Sequence, residues 1–278
     1  MFDFRYHALS LVAVFLALGI GIVLGVTIGD SLVSEADRSL RRTLRGDVLD
    51  AREDERQARE QVAQRDALIA DAFPLIARNR LRGDRVAIVV SGELPGEVES
   101  DIRDAVEEAG GEVSSVTELG APPDLEQLSG ELGRRFEGAA DDADVAERLG
   151  RRLGRSVVAG GRITRRLSDA LPDHFDGDYR PIDSVVVWRT PPSEPSDAAE
   201  RFEISLLEEM AERNVPLVGV ERSDTDPSQI GFYSDHGLSS VDSVDLVGGR
   251  AALVLALDGA EGRFGFKDSA EGPLPGEG

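Results

Sequence analysis

Residues Ala8 to Ile28 run for 21 positions without one charged side chain, and nothing else in this chain restricts its fate as strongly. As a helix rising 1.5 Å per residue, such a run spans about 30 Å, the hydrocarbon thickness of a bilayer. It predicts a single-pass membrane anchor occupying residues 1–31 with a short N-terminal tail. A cleaved secretory signal is the alternative, because Ser34-Glu35-Ala36 resembles a small-x-small cleavage site. The apolar region of a signal peptide is about 7–15 residues long, and this run is longer. Within it Gly21, Gly25 and Gly29 recur at i, i+4 and i+8. That spacing puts three bare backbone patches on one helix face, where a second helix can approach, although glycine is common in membrane helices in any case.

Beyond Gly29 the texture changes to Arg/Glu/Asp/Ala-rich sequence, with Gly46 its one glycine and no proline before Pro74. Leu44, Val48, Ala51, Glu55, Ala58, Val62, Arg65, Ile69, Ala72 and Ile76 follow alternating steps of four and three, and eight of these ten are apolar. This is the seam of a coiled coil, with Leu44, Val48, Ala51, Ala58, Val62 and Ile69 as its apolar positions. Alanines and two charged residues make it a weak seam. Residues 32–82 therefore read as a coiled-coil stalk joining two copies into a homodimer. A long solvated helix packing on its own globular domain is the other reading.

The charge is unevenly placed. The whole chain carries -22, while residues 1–31 carry -1 and residues 32–82 carry +1, so an acidic head from residue 83 onward holds the remaining -22. Nucleic acid is disfavoured as a partner, since phosphate neutralisation needs clustered positive charge. Topology is contradictory. Arg5 favours a cytoplasmic N-terminus, yet Arg38, Arg41, Arg42 and Arg45 follow the apolar run and by the positive-inside rule would hold the head in the cytoplasm.

From Gly83 short apolar runs alternate with amphipathic stretches. Val86–Val90, Val113–Leu119, Ser184–Trp188, Leu217–Val220 and Ala251–Leu257 are the runs. Helical patterns lie between them, around Val98–Ala109, Ala143–Leu153, Ile163–Leu171 and Ala199–Met210. Continuous apolar runs mark strands buried on both faces, and strands alternating with helices mark parallel βαβ units. The fold class is α/β. Residues 83–267 are expected to form a doubly wound, mostly parallel sheet domain of four or five strands, followed by a disordered tail at 268–278. A membrane β-barrel needs about ten alternating residues per strand in at least eight strands, and that pattern is missing.

No motif carries catalysis. The loop Ser91-Gly92-Glu93-Leu94-Pro95-Gly96 fits neither the dinucleotide fingerprint nor the P-loop, and Glu93 would repel phosphate. The turn Gly160-Gly161-Arg162, with Arg165 and Arg166, could meet an anion at a helix N-terminus or serve as a plain turn with a basic face. His174 with Asp176, and His236 beside Asp235, offer imidazole and carboxylate for a divalent metal. Acidic residues are so frequent here that such neighbours need no special cause. Soft copper(I) ligation wants Cys or Met; the chain has no cysteine, and its methionines are Met1 and Met210, the latter on an apolar helix face. No serine-nucleophile elbow or His-Glu-x-x-His motif is present, so the chain reads as a non-enzyme without a cofactor of its own.

Two blocks carry a resemblance. The opening Arg5-Tyr6-His7-Ala8-Leu9-Ser10-Leu11-Val12-Ala13-Val14-Phe15-Leu16-Ala17-Leu18, with Gly21 and Gly25, is one. The other is Ser240-Val241-Asp242-Ser243-Val244-Asp245, then Gly249–Leu257 and Gly262-Arg263-Phe264-Gly265-Phe266-Lys267. Together they resemble the MctB-type copper transport family of actinobacterial envelope proteins. The resemblance implies a membrane protein of copper homeostasis, with its globular domain outside the cytoplasmic membrane and copper as the ion concerned. It also implies a link to cell separation and control of wall hydrolases, and with the heptads and the glycine spacing this gives the alternative role of a dimeric envelope scaffold that recruits a protein partner.

Overall fold

The computed structural model describes residues 4–191 and 196–275, with side chains described at these positions except 4–7, 26–43 and 65. The chain divides into the units Met1–Gln64 and Arg65–Gly278.

Helix α1 (Phe4–Ala77) makes up the first unit as far as Gln64, and its end belongs to the second. Its stretch Ala8–Gly25 has a mean hydropathy of 2.6 and is not buried at all, and Leu9, Val14, Phe15 and Leu16 are each more than half exposed. A helix satisfies its own backbone hydrogen bonds, so it is an element that can carry such residues through hydrocarbon. Gly21 and Gly25 leave open space beside the helix. The surroundings of Gly29, and the side chains of Ser34-Glu35-Ala36, Arg38, Arg41 and Arg42, lie outside the described residues. Farther along, Leu44, Val48, Ala51, Ala58 and Val62 are exposed. On the same stretch Arg56 bridges Glu53 and Glu60 at 2.6 and 2.7 Å, and Arg59 reaches Glu55 at 2.5 Å. Pairs one turn apart each contribute about 0.2–0.5 kcal/mol to an exposed helix. Ile69 belongs to the second unit, where it is half-buried.

In the second unit, strands β1 (Arg85–Ser91), β2 (Glu112–Leu119), β3 (Phe175–Gly177), β4 (Ser184–Arg189), β5 (Leu217–Val220), β6 (Ser239–Val241) and β7 (Arg263–Phe264) form a seven-stranded sheet ordered β3-β2-β1-β4-β5-β6-β7. Every neighbouring pair is parallel except β2 and β3. Between the strands lie α2 (Gly96–Glu108), α3 (Leu125–Leu132), α4 (Ala143–Ala159), α5 (Arg162–Ala170), α6 (Asp197–Ala211), α7 (Ile230–Asp235) and α8 (Val247–Leu257).

Side chains alternate across a strand, so each apolar run feeds two cores. Val86, Ile88 and Val90 pack with Ile102 and Val106 of α2, Leu253 of α8 and Ala77 at the end of α1. Ala87 and Val89 pack with Leu149 and Leu153 of α4 and with Phe202 and Leu206 of α6. Local chemistry starts these helices where the sequence changes period. The Asp142 carboxylate accepts from the N–H of Asp144 and Val145 at α4, and Ser196 Oγ accepts from Ala199 N–H at α6. Helices α4 and α6 then approach closely enough that a side chain at Gly154 would sit 2.6 Å from the Leu206 carbonyl, and one at Gly150 would strike Ser205.

Three expectations are corrected. Ala251–Leu257 is not a strand; it belongs to α8, whose residues are buried on nearly every side. Its apolar run lacks a period because the sheet covers one side and α2 lies near another. Such a run cannot be told from a buried strand by pattern alone. Among the described residues the strand number is seven rather than four or five, since β3, β6 and β7 have two or three residues each and leave no apolar run to read. The segment read as a disordered tail begins with ordered pairing. Gly272 bridges Phe264, and Glu271 N–H donates to the Arg263 carbonyl at 2.8 Å.

Candidate functional site

The strand order reverses between β1 and β4. In open parallel sheets a crevice for ligands opens at such a reversal, outside the carboxyl ends of the strands. Here it is a cavity of about 270 Å³ lined by Ser91 at the end of β1, Arg189 at the end of β4, the Ala121-Pro122-Pro123 turn and Glu200 and Glu203 of α6. The neighbouring turn is tight: Gly92 has φ +114°, and a Cβ there would sit 2.6 Å from Thr190 Cβ.

Arg189 is the one cation among the described residues of the crevice wall, and it is engaged on three sides. Its Nε donates to Glu203 Oε1 at 3.0 Å, its Nη1 donates to Gln229 Oε1 at 2.7 Å, and its guanidinium lies 4.0 Å from the centre of the Phe232 ring. Both Arg189 and Glu203 are largely buried. A guanidinium held from three sides positions the end of β4 and α6 rather than waiting for an anion.

Gln229 passes the network on. Its backbone N–H donates to Glu221 Oε2 at 2.5 Å, while Glu221 Oε1 accepts from Ser228 Oγ at 2.9 Å and from Lys267 Nζ at 2.6 Å. Glu221 is 1% exposed, a depth at which a charge persists only when paired and hydrogen-bonded. Asp242, equally buried, accepts from the backbone N–H of Phe266 at 2.7 Å and of Lys267 at 3.0 Å, and from Ser243 Oγ at 2.7 Å. Gly265, at φ +140°, lies against that carboxylate so closely that any side chain would collide with it.

The two sequence blocks singled out near the C-terminus therefore meet each other. Ser240–Asp245 supplies most of β6 and the Asp242 carboxylate; Gly262–Lys267 supplies β7 and the N–H groups that close on that carboxylate, while the Lys267 ammonium closes on Glu221. Their chemistry is that of a clasp. Two buried phenols of the domain carry no activation either. Burial holds the Tyr233 phenol far above its ordinary pKa while it donates to the Val220 carbonyl, and it pushes Tyr179 up to about 12.

The metal candidates are placed apart. His174 is exposed just before β3, and Asp176 lies exposed on that edge strand. His236 ends α7, with Nδ1 2.8 Å from the Phe232 carbonyl and its ring centre 4.4 Å from that of Phe232. The strands beside the two histidines, β3 and β6, are five spacings apart in the sheet, on the order of 24 Å. Among the described residues no group of three His, Cys, Asp or Glu side chains converges as a metal site. Met210, the thioether within the domain, is wholly buried.

Sequence reasoning missed the Glu221–Lys267–Asp242 clasp. Its only signal was an isolated lysine in a chain whose other basic residues near the C-terminus are arginines.

Compared with known families, the chain matches the family model described as "Copper transport outer membrane protein, MctB" over residues 1–275. A search of curated proteins gave no match.

Proposed function

The chain belongs to the MctB family, and from that premise we propose that it is a copper-transport envelope protein anchored by its N-terminal helix, with the α/β domain outside the cytoplasmic membrane. The family match across residues 1–275 is the observation that carries this reading. The family is described as one of copper transport proteins, and the exposed apolar stretch Ala8–Gly25 supplies a means of attachment.

Copper enters this reading as cargo. Copper(I) favours thiolate and thioether ligands, and copper(II) favours imidazole with nitrogen or oxygen donors in a square arrangement. The chain has no cysteine and its two candidate histidines are far apart, so a single copy offers neither set among its described residues. One apolar helix cannot line a pore by itself. Several copies, or a second membrane protein, would have to supply the passage. Pairing of α1 along Leu44, Val48, Ala51, Ala58 and Val62 brings two copies together, and the exposure of these residues supports it.

Deletion of the chain is expected to make cells sensitive to added copper, with tolerance restored by the full chain. Unchanged tolerance across a copper series would refute the reading.

A further inference from the structure

Arginines in the acidic domain are mostly matched with carboxylates: Arg85 with Glu112, Arg103 with Glu99, Arg151 with Glu147, Arg250 with Asp101. One cluster departs from that pattern. Between α4, α5 and the turn after α3 lies an open cavity of about 480 Å³ walled by Arg135, Arg152, Arg155, Arg162 and Arg166, with Glu131 as its one carboxylate. Glu131 reaches only Arg166, at 3.8 Å, and Arg155 is held by Glu209 at 3.0 Å. No ion pair forms at Arg135, Arg152 or Arg162 among the described residues.

Two further observations point the same way. Arg152 Nε is buried and has no hydrogen-bond acceptor, an arrangement proteins avoid because an unmet buried donor on a charged group is costly. Helix α5 also begins on this cavity at Gly161 (φ +123°), with no side-chain cap and no acidic residue in its first turn. Its first N–H groups have no partner within the helix. Instead of the carboxylates that stabilise a helix N-terminus, the sequence places Arg162, Arg165 and Arg166 there, charges of the sign that the helix dipole disfavours. An anion in the cavity would offset the mutual repulsion of the guanidinium groups and complement the uncapped start of α5.

We propose that this cavity is a binding site for a phosphate-bearing ligand. Guanidinium forks grip phosphate oxygens in pairs, and the space exceeds what one inorganic ion fills. The ligand's phosphate can come from a soluble diphosphate or from an anionic lipid headgroup.

The test is calorimetry on the full chain in neutral detergent at 0.15 M NaCl. One arm titrates inorganic pyrophosphate; the other titrates dihexanoyl-phosphatidylglycerol below its micellar concentration. Saturable binding in either arm is expected, and the arm that binds identifies the source. R152Q and the exposed R162Q should each weaken binding about tenfold or more, as loss of one charged hydrogen-bond partner does. Arg148→Gln, which removes an exposed arginine outside the cavity, should leave binding unchanged. Circular dichroism of each variant shows that it remains folded, and R162Q keeps the test open if R152Q does not. Absence of binding in both arms overturns the proposal, as does equal weakening by R148Q or binding that survives both cavity variants.

Discussion

Removing the Lys267 ammonium would leave the Glu221 carboxylate buried with Ser228 and Gln229 as its remaining donors. Breaking a buried pair in this way costs about 3–5 kcal/mol, so Lys267→Met should shift the urea midpoint strongly downward. The double variant with Glu221→Gln should recover part of the loss, because the stranded charge has gone. Glu209 makes the complementary case on α6. Its side chain is 4% exposed, and the Arg155 hydrogen bond, reinforced by Arg213, holds its pKa below the ordinary 4.5. A depressed folded pKa stabilises the protein above the unfolded value and loses that contribution as pH falls through the folded one. Glu209→Gln should therefore lower stability at pH 7, and the gap from the parent should close as pH drops below about 4.5. Unfolding curves across pH 3–7 measure it. At this scale the sequence displayed its C-terminal blocks but not their partnership, because Asp242 and the Phe266–Lys267 N–H groups lie 24 residues or more apart.

Elements were legible wherever length and period agreed. The runs at β1, β2, β4 and β5 and the amphipathic faces of α2, α4, α5 and α6 stand close to where the pattern put them. Pattern failed for physical reasons at the extremes. Helix α8 is buried too completely to show a polar face, and β3, β6 and β7 owe their pairing to neighbours rather than to their own composition. The 4-3 pattern on α1 makes a claim about a second copy. Leu44, Val48 and Val62 are each at least half exposed, a state that charged substitution should leave unharmed in an isolated helix and should disrupt in a pair. Replacing all three by Asp is expected to convert a dimer of the full chain in detergent into a monomer. Sedimentation velocity distinguishes the two, and an unchanged dimer would move the contact elsewhere.

At the scale of the whole molecule the α/β class was readable because parallel strands need cover on both faces and so write continuous apolar runs. The β1/β4 crevice follows from strand order, which no local pattern encodes. Its arginine proved to be committed to Glu203, Gln229 and Phe232. The arginine-lined cavity was half visible as the basic turn at Gly160-Gly161-Arg162; Arg135 and Arg152 joined it only through the packing of the turn after α3 against α4 and α5. The proposed function rests on the family and the apolar N-terminal helix rather than on any catalytic constellation. The most direct measurement is cellular copper content by mass spectrometry in three strains, one deleted for the chain, one restored with the full chain and one restored with residues 32–278 alone. Copper should rise on deletion, return to the parental level with the full chain, and stay high without the anchor. Equal copper in all three strains would contradict a role in copper transport.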